Sequence, residues 1–204
     1  MRKNWAALAL TGMLCLTTFA GTQTVSAETA DSAKQVDIVF THDTHSHLNT
    51  FTTIVDEAEK EVGGFARINT LIQEQKAKNP DTLVIDGGDF SMGTLIQTVF
   101  ETQAAEIRML GYMGCDVTTL GNHEFDYRSK GLANMLNSAA ESGDDLPAMV
   151  VCNVDWESME AAGLSEGQQL IRDAFDEYGV SDYVVLEKGD TDIAVVGVFG
   201  RAAI

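Results

Sequence analysis

All four histidines of the 204-residue chain lie in two short polar clusters, and each cluster directly follows an apolar run. The first cluster contains Asp43 and His45, and the second contains Asn122, His123 and Asp126. Histidines used as ordinary core or surface residues would not be confined in this way. Imidazole nitrogens combined with carboxylate and amide oxygens suit borderline divalent ions such as Mn²⁺, Zn²⁺ or iron. The pattern therefore predicts a metal site.

The first cluster is joined by a carboxylate further along the chain. Asp43 and His45 are separated by one residue, so in an extended segment both side chains would point to the same face. Asp89 follows Gly87 and Gly88, which allow a tight turn and a close backbone approach to a bound group. A carboxylate there could bridge two ions. The alternatives are a solvated polar loop for the first pair and a helix cap for Asp89.

The second cluster is the most informative string in the chain, and it reads Gly-Asn-His-Glu-Phe-Asp over residues 121–126. Asn122 offers an amide oxygen that adds no negative charge to a metal site. Asp126 lies three residues after His123, and in a helical turn its carboxylate would reach the ring and fix its tautomer. The alternative is a structural turn with a buried histidine–carboxylate pair.

The elements around these clusters predict an α/β layered domain. Apolar runs predict strands over residues 36–40 (a buried strand), 83–85, 115–120 and 148–152, and a β-hairpin over residues 183–186 and 193–198. Helical spacing predicts helices over residues 65–78, 104–113, 129–142 and 168–178. Ligand sites in such sheets favour the carboxyl ends of strands. We therefore expect Asp43, His45, Asp89 and Asn122 to converge at one edge of the sheet.

The N-terminal segment predicts secretion. Arg2 and Lys3 precede a largely apolar stretch over residues 5–20, and small residues follow at 25–27. This order is typical of a signal peptide over residues 1–27, and the apolar stretch is too short and too broken to span a bilayer. The expected location is therefore secreted or extracytoplasmic (periplasm or cell wall), with no membrane insertion after cleavage. Residues 28–204 are predicted to form one domain.

The charge and the cysteines limit the partners and the covalent chemistry. The formal charge is −18 and becomes −20 once the signal segment, with two basic and no acidic residues, is removed. Such acidity argues against binding to nucleic acid or anionic membranes. An anionic substrate would need metal cations to reverse the sign locally. Cys115 and Cys152 are predicted to be buried free thiols, although an oxidising compartment would permit a disulfide.

Taken in order, three blocks of the chain resemble the first three sequence blocks of the calcineurin-like metallophosphoesterases. The blocks are Asp43-x-His45, Gly88-Asp89 and Gly121-Asn122-His123-Glu124. Two further features, the continuation to Phe125-Asp126 and the segment Gly63-Gly64-Phe65-Ala66-Arg67, resemble the secreted 5′-nucleotidase branch. The likeness covers roughly residues 36–200, which is nearly all of the predicted mature chain.

The resemblance implies a fold, a cofactor and a substrate class. The fold would be a layered β-sandwich flanked by helices, and the cofactor would be two divalent metal ions (Mn, Zn or Fe). The substrate would be a small-molecule phosphate ester, most simply a nucleotide. The resemblance also implies the roles of six residues. Asp43 and His45 would bind the first ion, Asn122 would bind the second, and Asp89 would be the carboxylate that bridges the two ions. His123 would not bind an ion but would stabilise the phosphoryl group or the leaving oxygen, and Asp126 would orient the His123 ring.

The sequence also departs from this pattern. His42 and Ser46 stand where the branch has Asn and Gly, and we expect His42 to be an exposed surface residue. No histidine follows His123, so the later Gly-His and Gly-His-x-His blocks are missing. We therefore interpret the chain as the truncated N-terminal part of a metallophosphoesterase domain, incomplete at its C-terminus and with little activity alone. Two alternatives remain open: a 2′,3′-cyclic-nucleotide phosphodiesterase and a non-catalytic fragment.

Overall fold

The computed structural model describes residues 34–200. The predicted signal peptide and residues 201–204 lie outside the described residues. Contacts divide the chain into residues 1–35 and 36–204, and all elements described below belong to the second unit. Within the described part, no helix is both long enough and apolar enough to cross a membrane.

Strands and helices alternate along the chain, as predicted. The strands are β1 (Ile38–Thr41), β2 (Phe51–Val55), β3 (Ala58–Val62), β4 (Leu83–Asp86), β5 (Val117–Thr118), β6 (Ala148–Met149), β7 (Tyr183–Lys188) and β8 (Thr191–Val196). The helices are α1 (Phe65–Lys78), α2 (Phe100–Gln103), α3 (Ala105–Tyr112), α4 (Arg128–Ala140), α5 (Trp156–Ala162) and α6 (Glu166–Tyr178), with 3₁₀ turns at Leu95–Val99 and His123–Phe125. The α/β class is confirmed.

A four-stranded sheet in the order β1-β4-β5-β6 forms the centre of the fold. Its strands are parallel, with Ile38 opposite Leu83 and Val117 opposite both Ile85 and Ala148. Parallel strands place all their carboxyl ends at the same edge of the sheet, so the loops after β1, β4, β5 and β6 meet there. The remaining strands form two separate hairpins, β2–β3 and β7–β8.

Three strand predictions need correction. The strand over residues 36–40 is not buried, because β1 is an end strand and only alternate residues such as Val39 pack on the core. Ile38 and Phe40 are 55% and 59% exposed. The strands predicted over residues 115–120 and 148–152 are regular over only two residues each, although single backbone hydrogen bonds, such as that from Val150 N–H to Thr118 O at 3.0 Å, continue beyond them. The hairpin β2–β3 was not predicted, because it is exposed on both faces and carries no apolar alternation.

The helices follow their predicted apolar faces closely. Helix α1 begins at Phe65 and ends at Lys78 as predicted, and it buries Phe65 and Ile72, whereas Leu71 stays 58% exposed. Ser165 and Gln168 form a reciprocal capping box at the start of α6. The predicted face of α4, with Leu132, Met135 and Leu136, is fully buried in the core.

The carboxylate of Asp86 joins three neighbouring strands at the edge where the loops meet. It accepts hydrogen bonds from Thr41 Oγ1 at 2.7 Å and from Thr118 Oγ1 at 3.1 Å. It also accepts one from the backbone N–H of Gly88 at 3.0 Å, which starts the turn that follows β4. Asp86 is 1% exposed, and this burial raises the pKa of its carboxyl group. The result is a fixed spacing of β1, β4 and β5.

The hairpin β7–β8 is fastened to the sheet at both of its ends. At the turn, Lys188 Nζ lies 2.9 Å from Asp116 Oδ1, and both side chains are mostly buried. The other Asp116 oxygen accepts the backbone N–H of Val84 at 2.8 Å. At the open end, the N–H of Cys152 donates to the Gly197 carbonyl at 2.8 Å. The hairpin therefore runs along the sheet and delivers residues 198–200 to its carboxyl edge.

The two described cysteines are free, as predicted, but they differ in exposure. Cys115 is buried, and burial raises the pKa of its thiol to about 12. Cys152 is exposed, which corrects the prediction of two buried thiols. The two residues before it, Val150 and Val151, are still buried, so the exposure begins at Cys152 itself.

A second buried acid supports the loop after β1. Ser46 donates its hydroxyl to Glu106 Oε1 at 2.6 Å, and both residues are fully buried. The other oxygen, Oε2, has no hydrogen-bond partner among the described residues. Burial raises the pKa of the Glu106 carboxyl group. The protonated form is therefore the one that the fold favours.

We predict that Glu106→Gln becomes more stabilising as the pH rises. A carboxyl group whose pKa is raised on folding supports the folded state fully below its unfolded pKa, and this support is lost as pH rises through the folded pKa. Glutamine stays neutral throughout. The test is the difference in the urea midpoint of unfolding between wild type and Glu106→Gln, measured at pH 5 and at pH 8. Glu74→Gln, on the exposed side of α1, is the control for the loss of a negative charge. An equal difference at both pH values would contradict this prediction.

Candidate metal centre

The loop after β1 carries the first two predicted site residues in a tight turn. Asp43, His45 and Ser46 have φ angles of 50°, 45° and 54°, which lie in the left-handed region. The predicted extended geometry for Asp43 and His45 is therefore wrong. Their side chains come together because the turn is bonded to the loop after β4: the N–H of Asp43 donates to Gly88 O at 3.1 Å, and that of His45 donates to Asp89 O at 3.2 Å.

Close backbone packing sets the position of Asp89. Gly88 has a φ of 84°, and a Cβ there would lie 2.6 Å from the backbone nitrogen of Gly121. Gly88 therefore permits a close approach to the neighbouring loop, and Gly87 lines the cavity beside Asp43 and Asp89. Asp89 Oδ1 accepts the backbone N–H of His123 at 2.8 Å. Asp89 is consequently held between the loops that follow β4 and β5.

His123 and Asp126 form the pair that their spacing predicted. The 3₁₀ turn His123–Phe125 places His123 Nδ1 2.8 Å from Asp126 Oδ2. This hydrogen bond, with the charge of Asp89 nearby, raises the pKa of the His123 imidazole. A proton on Nδ1 donates to Asp126, so the second ring nitrogen, Nε2, is left for another partner.

Two sets of side chains meet at this edge of the sheet, and they share Asp89. His45, Asp89 and His123 each offer a ligand atom, and these atoms lie within 4.8 Å of one another. The rings of His45 and His123 are arranged edge to face with centroids 5.0 Å apart. Asp43, Asp89 and Asn122 line an open cavity of about 440 Å³. Of the four predicted ligands, Asp89 thus lies with His45 in the first set and with Asp43 and Asn122 in the second, and the ring of His123 belongs to the first set.

The carboxylate of Asp43 is kept in its charged form. His42 Nδ1 lies 2.6 Å from Asp43 Oδ2, and this hydrogen bond lowers the pKa of Asp43. The side chain of His42 is 60% exposed, as expected for a surface residue. His47 lies apart from the cluster: its Nδ1 is 3.2 Å from the carbonyl oxygen of Thr44.

Glu124 organises the site, and sequence reasoning gave it no role. Its carboxylate is fully buried and accepts four hydrogen bonds from three residues of the two loops. The donors are the N–H of Asp89 at 3.0 Å, the N–H and hydroxyl of Ser91 at 3.0 and 2.8 Å, and the N–H of Gly121 at 2.6 Å. Burial raises the pKa of Glu124. The sequence did contain one indication of this role: Glu124 is an acidic residue within residues 121–126 to which no metal-binding role was assigned.

The donor set fits a divalent metal ion. His45 offers an imidazole nitrogen, whereas Asp43, Asp89 and Asn122 offer oxygens, and this mixture suits borderline ions such as Zn²⁺ or Mn²⁺ without a nitrogen from His123. His45, Asp89 and His123 are all partly buried, so an ion would sit in a partly desolvated position. The positive charge of an ion would also offset the two neighbouring carboxylates, Asp43 and Asp89.

Comparisons with known proteins agree with this geometry. The profile of the calcineurin-like phosphoesterases matches residues 36–196. A 5′-nucleotidase-related protein of Glossina morsitans morsitans is 30% identical over 187 residues, which cover 88% of this chain and 32% of that protein. A probable 5′-nucleotidase of Treponema pallidum is 34% identical over 107 residues, which cover 50% of this chain and 18% of that protein.

Solved structures show the same fold. The 5′-nucleotidase precursor of Thermus thermophilus aligns with a TM-score of 0.63 at 25% identity, over 82% of this chain and 29% of that one. The NAD nucleotidase of Haemophilus influenzae aligns with a TM-score of 0.60 at 23% identity, over 81% of this chain and 26% of that one, which shows the fold alone. The chain thus spans about a third or less of the length of these relatives. The resemblance seen in the three sequence blocks is confirmed: the chain belongs to the calcineurin-like phosphoesterase family.

Proposed function

We propose that this chain carries a site for the hydrolysis of phosphate esters, most simply nucleotides, with the help of divalent metal ions. The observation that carries the proposal is the convergence of His45, Asp89 and His123 within 4.8 Å, beside the cavity lined by Asp43 and Asn122. The names of the relatives, which are 5′-nucleotidases, support the choice of nucleotides as substrates.

Each residue has a task that follows from its position. Asp43 and His45 would hold a first ion, and Asp89 would bridge it to a second ion that also binds Asn122. Asp89 is suited to bridging because its Oδ1 is already fixed by the N–H of His123. Asp43 would bind as an anion, and its hydrogen bond to His42 lowers the pKa of its carboxyl group still further below neutral pH. Ions bound there supply Lewis acidity and activate water for attack on phosphorus.

His123 would act on the substrate rather than on an ion. Asp126 holds its Nδ1, so Nε2 is free to donate a hydrogen bond to the phosphoryl oxygen or the leaving oxygen. The raised pKa of His123 keeps this proton in place over a wider pH range than in a free histidine. Activity that depends on the protonated ring is therefore retained above the usual histidine pKa and is lost as the pH rises through the raised value.

The direct test of the function is a phosphatase assay with AMP and p-nitrophenyl phosphate in the presence of Mn²⁺ or Zn²⁺. We expect hydrolysis that EDTA abolishes and that added metal restores. Preferred cleavage of 2′,3′-cyclic AMP in a parallel reaction would assign the cyclic-nucleotide phosphodiesterase activity instead. Metal binding without hydrolysis of any of these esters, in an assay sensitive enough to detect the low turnover predicted for this chain, would contradict the proposed function.

We predict that turnover by the 204-residue chain alone is low. If Asp43 and His45 bind the first ion, the second ion keeps only Asp89 and the neutral Asn122, too few protein ligands to hold a borderline ion firmly. A full-length 5′-nucleotidase relative, assayed alongside, should therefore be more than about tenfold faster, a barrier difference above about 1.4 kcal/mol. A rate within about tenfold of that relative would show that no further ligands are needed.

A second prediction concerns Asp126. Asp126→Asn should lower the residual turnover by about tenfold to a hundredfold, because the amide no longer favours the proton on His123 Nδ1. The metal content, measured by mass spectrometry of the purified protein, should stay within about twofold of wild type. Glu177→Gln, an exposed acid at the far end of α6, is the control for a lost charge. Loss of bound metal in Asp126→Asn would make Asp126 a ligand instead.

A further inference from the structure

The side chain of Asn153 holds the backbone of a residue 46 positions away in the chain. Its Nδ2 donates to the Phe199 carbonyl at 2.8 Å, and its Oδ1 accepts the Phe199 N–H at 3.3 Å. A carboxamide is the side-chain group that matches one backbone donor and one backbone acceptor at once. Asn153 follows β6 and Phe199 follows β8, so the pair of bonds joins the open end of the β7–β8 hairpin to the carboxyl edge of the sheet.

Phe199 in turn packs against the turn that carries His123. The ring of Phe199 is 7% exposed, and its centroid lies 5.5 Å from that of Phe125. Phe125 is the last residue of the 3₁₀ turn that begins at His123. Any displacement of the Phe199 ring therefore bears directly on the segment that positions the His123 imidazole.

Space is available for such a displacement. Phe125 and Phe199 both line a small, mainly apolar cavity of about 110 Å³, whose other walls include Trp156, Ile171 and Phe175. Close packing would lock the two rings without help from other groups. Because this cavity leaves room beside the two rings, packing alone does not hold the Phe199 ring in one position, and the hydrogen bonds between Asn153 and the Phe199 backbone supply the missing constraint.

The same segment forms a wall of the candidate metal centre. Val198, Phe199 and Gly200 line the cavity of about 440 Å³ together with Asp89 and Asn122. Phe199 therefore contacts the site in two ways, as a lining residue of the cavity and through the contact of its ring with Phe125 in the His123 turn. The Lys188–Asp116 ion pair fixes the far end of the hairpin, and the hydrogen bond from Cys152 N–H to Gly197 O attaches the near end. Asn153 extends this attachment by two residues, to Phe199.

We propose that Asn153 is a positioning residue for the site: through Phe199 and Phe125 it holds the His123 turn and the cavity wall in register with the metal ligands. Its effect on catalysis rests on the proposed function, whereas its effect on the geometry of His123 does not. Asn153 touches neither substrate nor ion and acts through Phe199.

The experiment follows the ring nitrogens of His123 by ¹H–¹⁵N NMR in the metal-free chain, with the His123 signals assigned from their loss in His123→Asn. In Asn153→Ala we expect these signals to shift or broaden by more than their linewidth, and those of the exposed His42 to stay in place. Phe199→Leu should produce the same change, because the effect passes through that ring. It also serves if Asn153→Ala does not fold.

The matched control is Tyr178→Phe, which removes another long-range hydrogen bond to the backbone, from Tyr178 Oη to Pro147 O at 2.8 Å, away from the site. It should lower the urea midpoint without moving the His123 signals. In the phosphatase assay, Asn153→Ala should lower kcat by about tenfold with KM within about twofold, the signature of a group needed for orientation rather than binding.

The outcomes separate the two proposals. Unchanged His123 signals in both Asn153→Ala and Phe199→Leu, or an equal change in Tyr178→Phe, would overturn the positioning role. Displaced His123 signals in a protein whose wild type hydrolyses no phosphate ester would support the positioning role and count against the proposed function. Displaced signals together with an unchanged kcat in an active protein would show that the position of His123 does not limit turnover, and this would overturn the catalytic part of the inference.

Discussion

The geometry of the candidate site depends on one buried carboxylate. Glu124 accepts hydrogen bonds from Asp89, Ser91 and Gly121, and so it fastens the loop after β4 to the loop after β5. All four donors are satisfied by two oxygens that water cannot reach. A buried acceptor set of this kind costs several kcal/mol to break, because each freed N–H would be left without a partner. Asp89 and His123 stay in contact for this reason.

The other constraints extend this arrangement outwards from Glu124. Asp86 fixes the spacing of β1, β4 and β5 through hydrogen bonds at the ends of these strands. The backbone N–H groups of Asp43 and His45 donate hydrogen bonds that attach the loop after β1 to the loop after β4. Glu106 supports the same loop through Ser46. Buried acidic residues therefore connect the strands and loops by hydrogen bonds, whereas exposed or half-buried acidic residues face the cavity. Within one small region, burial distinguishes the acids that hold the structure together from the acids that could bind a metal ion.

Much of this was predictable from the sequence, and the exceptions have physical causes. The ends of α1, the hairpin β7–β8 and the ligand types at three strand ends follow from apolar periodicity and from residue chemistry. The left-handed turn at Asp43 and His45 could not be predicted, because it is stabilised by the neighbouring loop rather than by local preference. The fastening role of Glu124 depends on donors 33 and 35 residues away, which no local pattern records.

Anomalous X-ray diffraction from crystals soaked with Zn²⁺ tests most directly whether these loops form a metal site. We expect a peak at the zinc absorption edge between His45 and Asp89, with distances of about 2.0–2.2 Å to a histidine nitrogen and a carboxylate oxygen. A second, weaker peak near Asn122 would fit a bridging Asp89. An anomalous peak bound only elsewhere on the chain, or no peak at saturating Zn²⁺, would contradict the account.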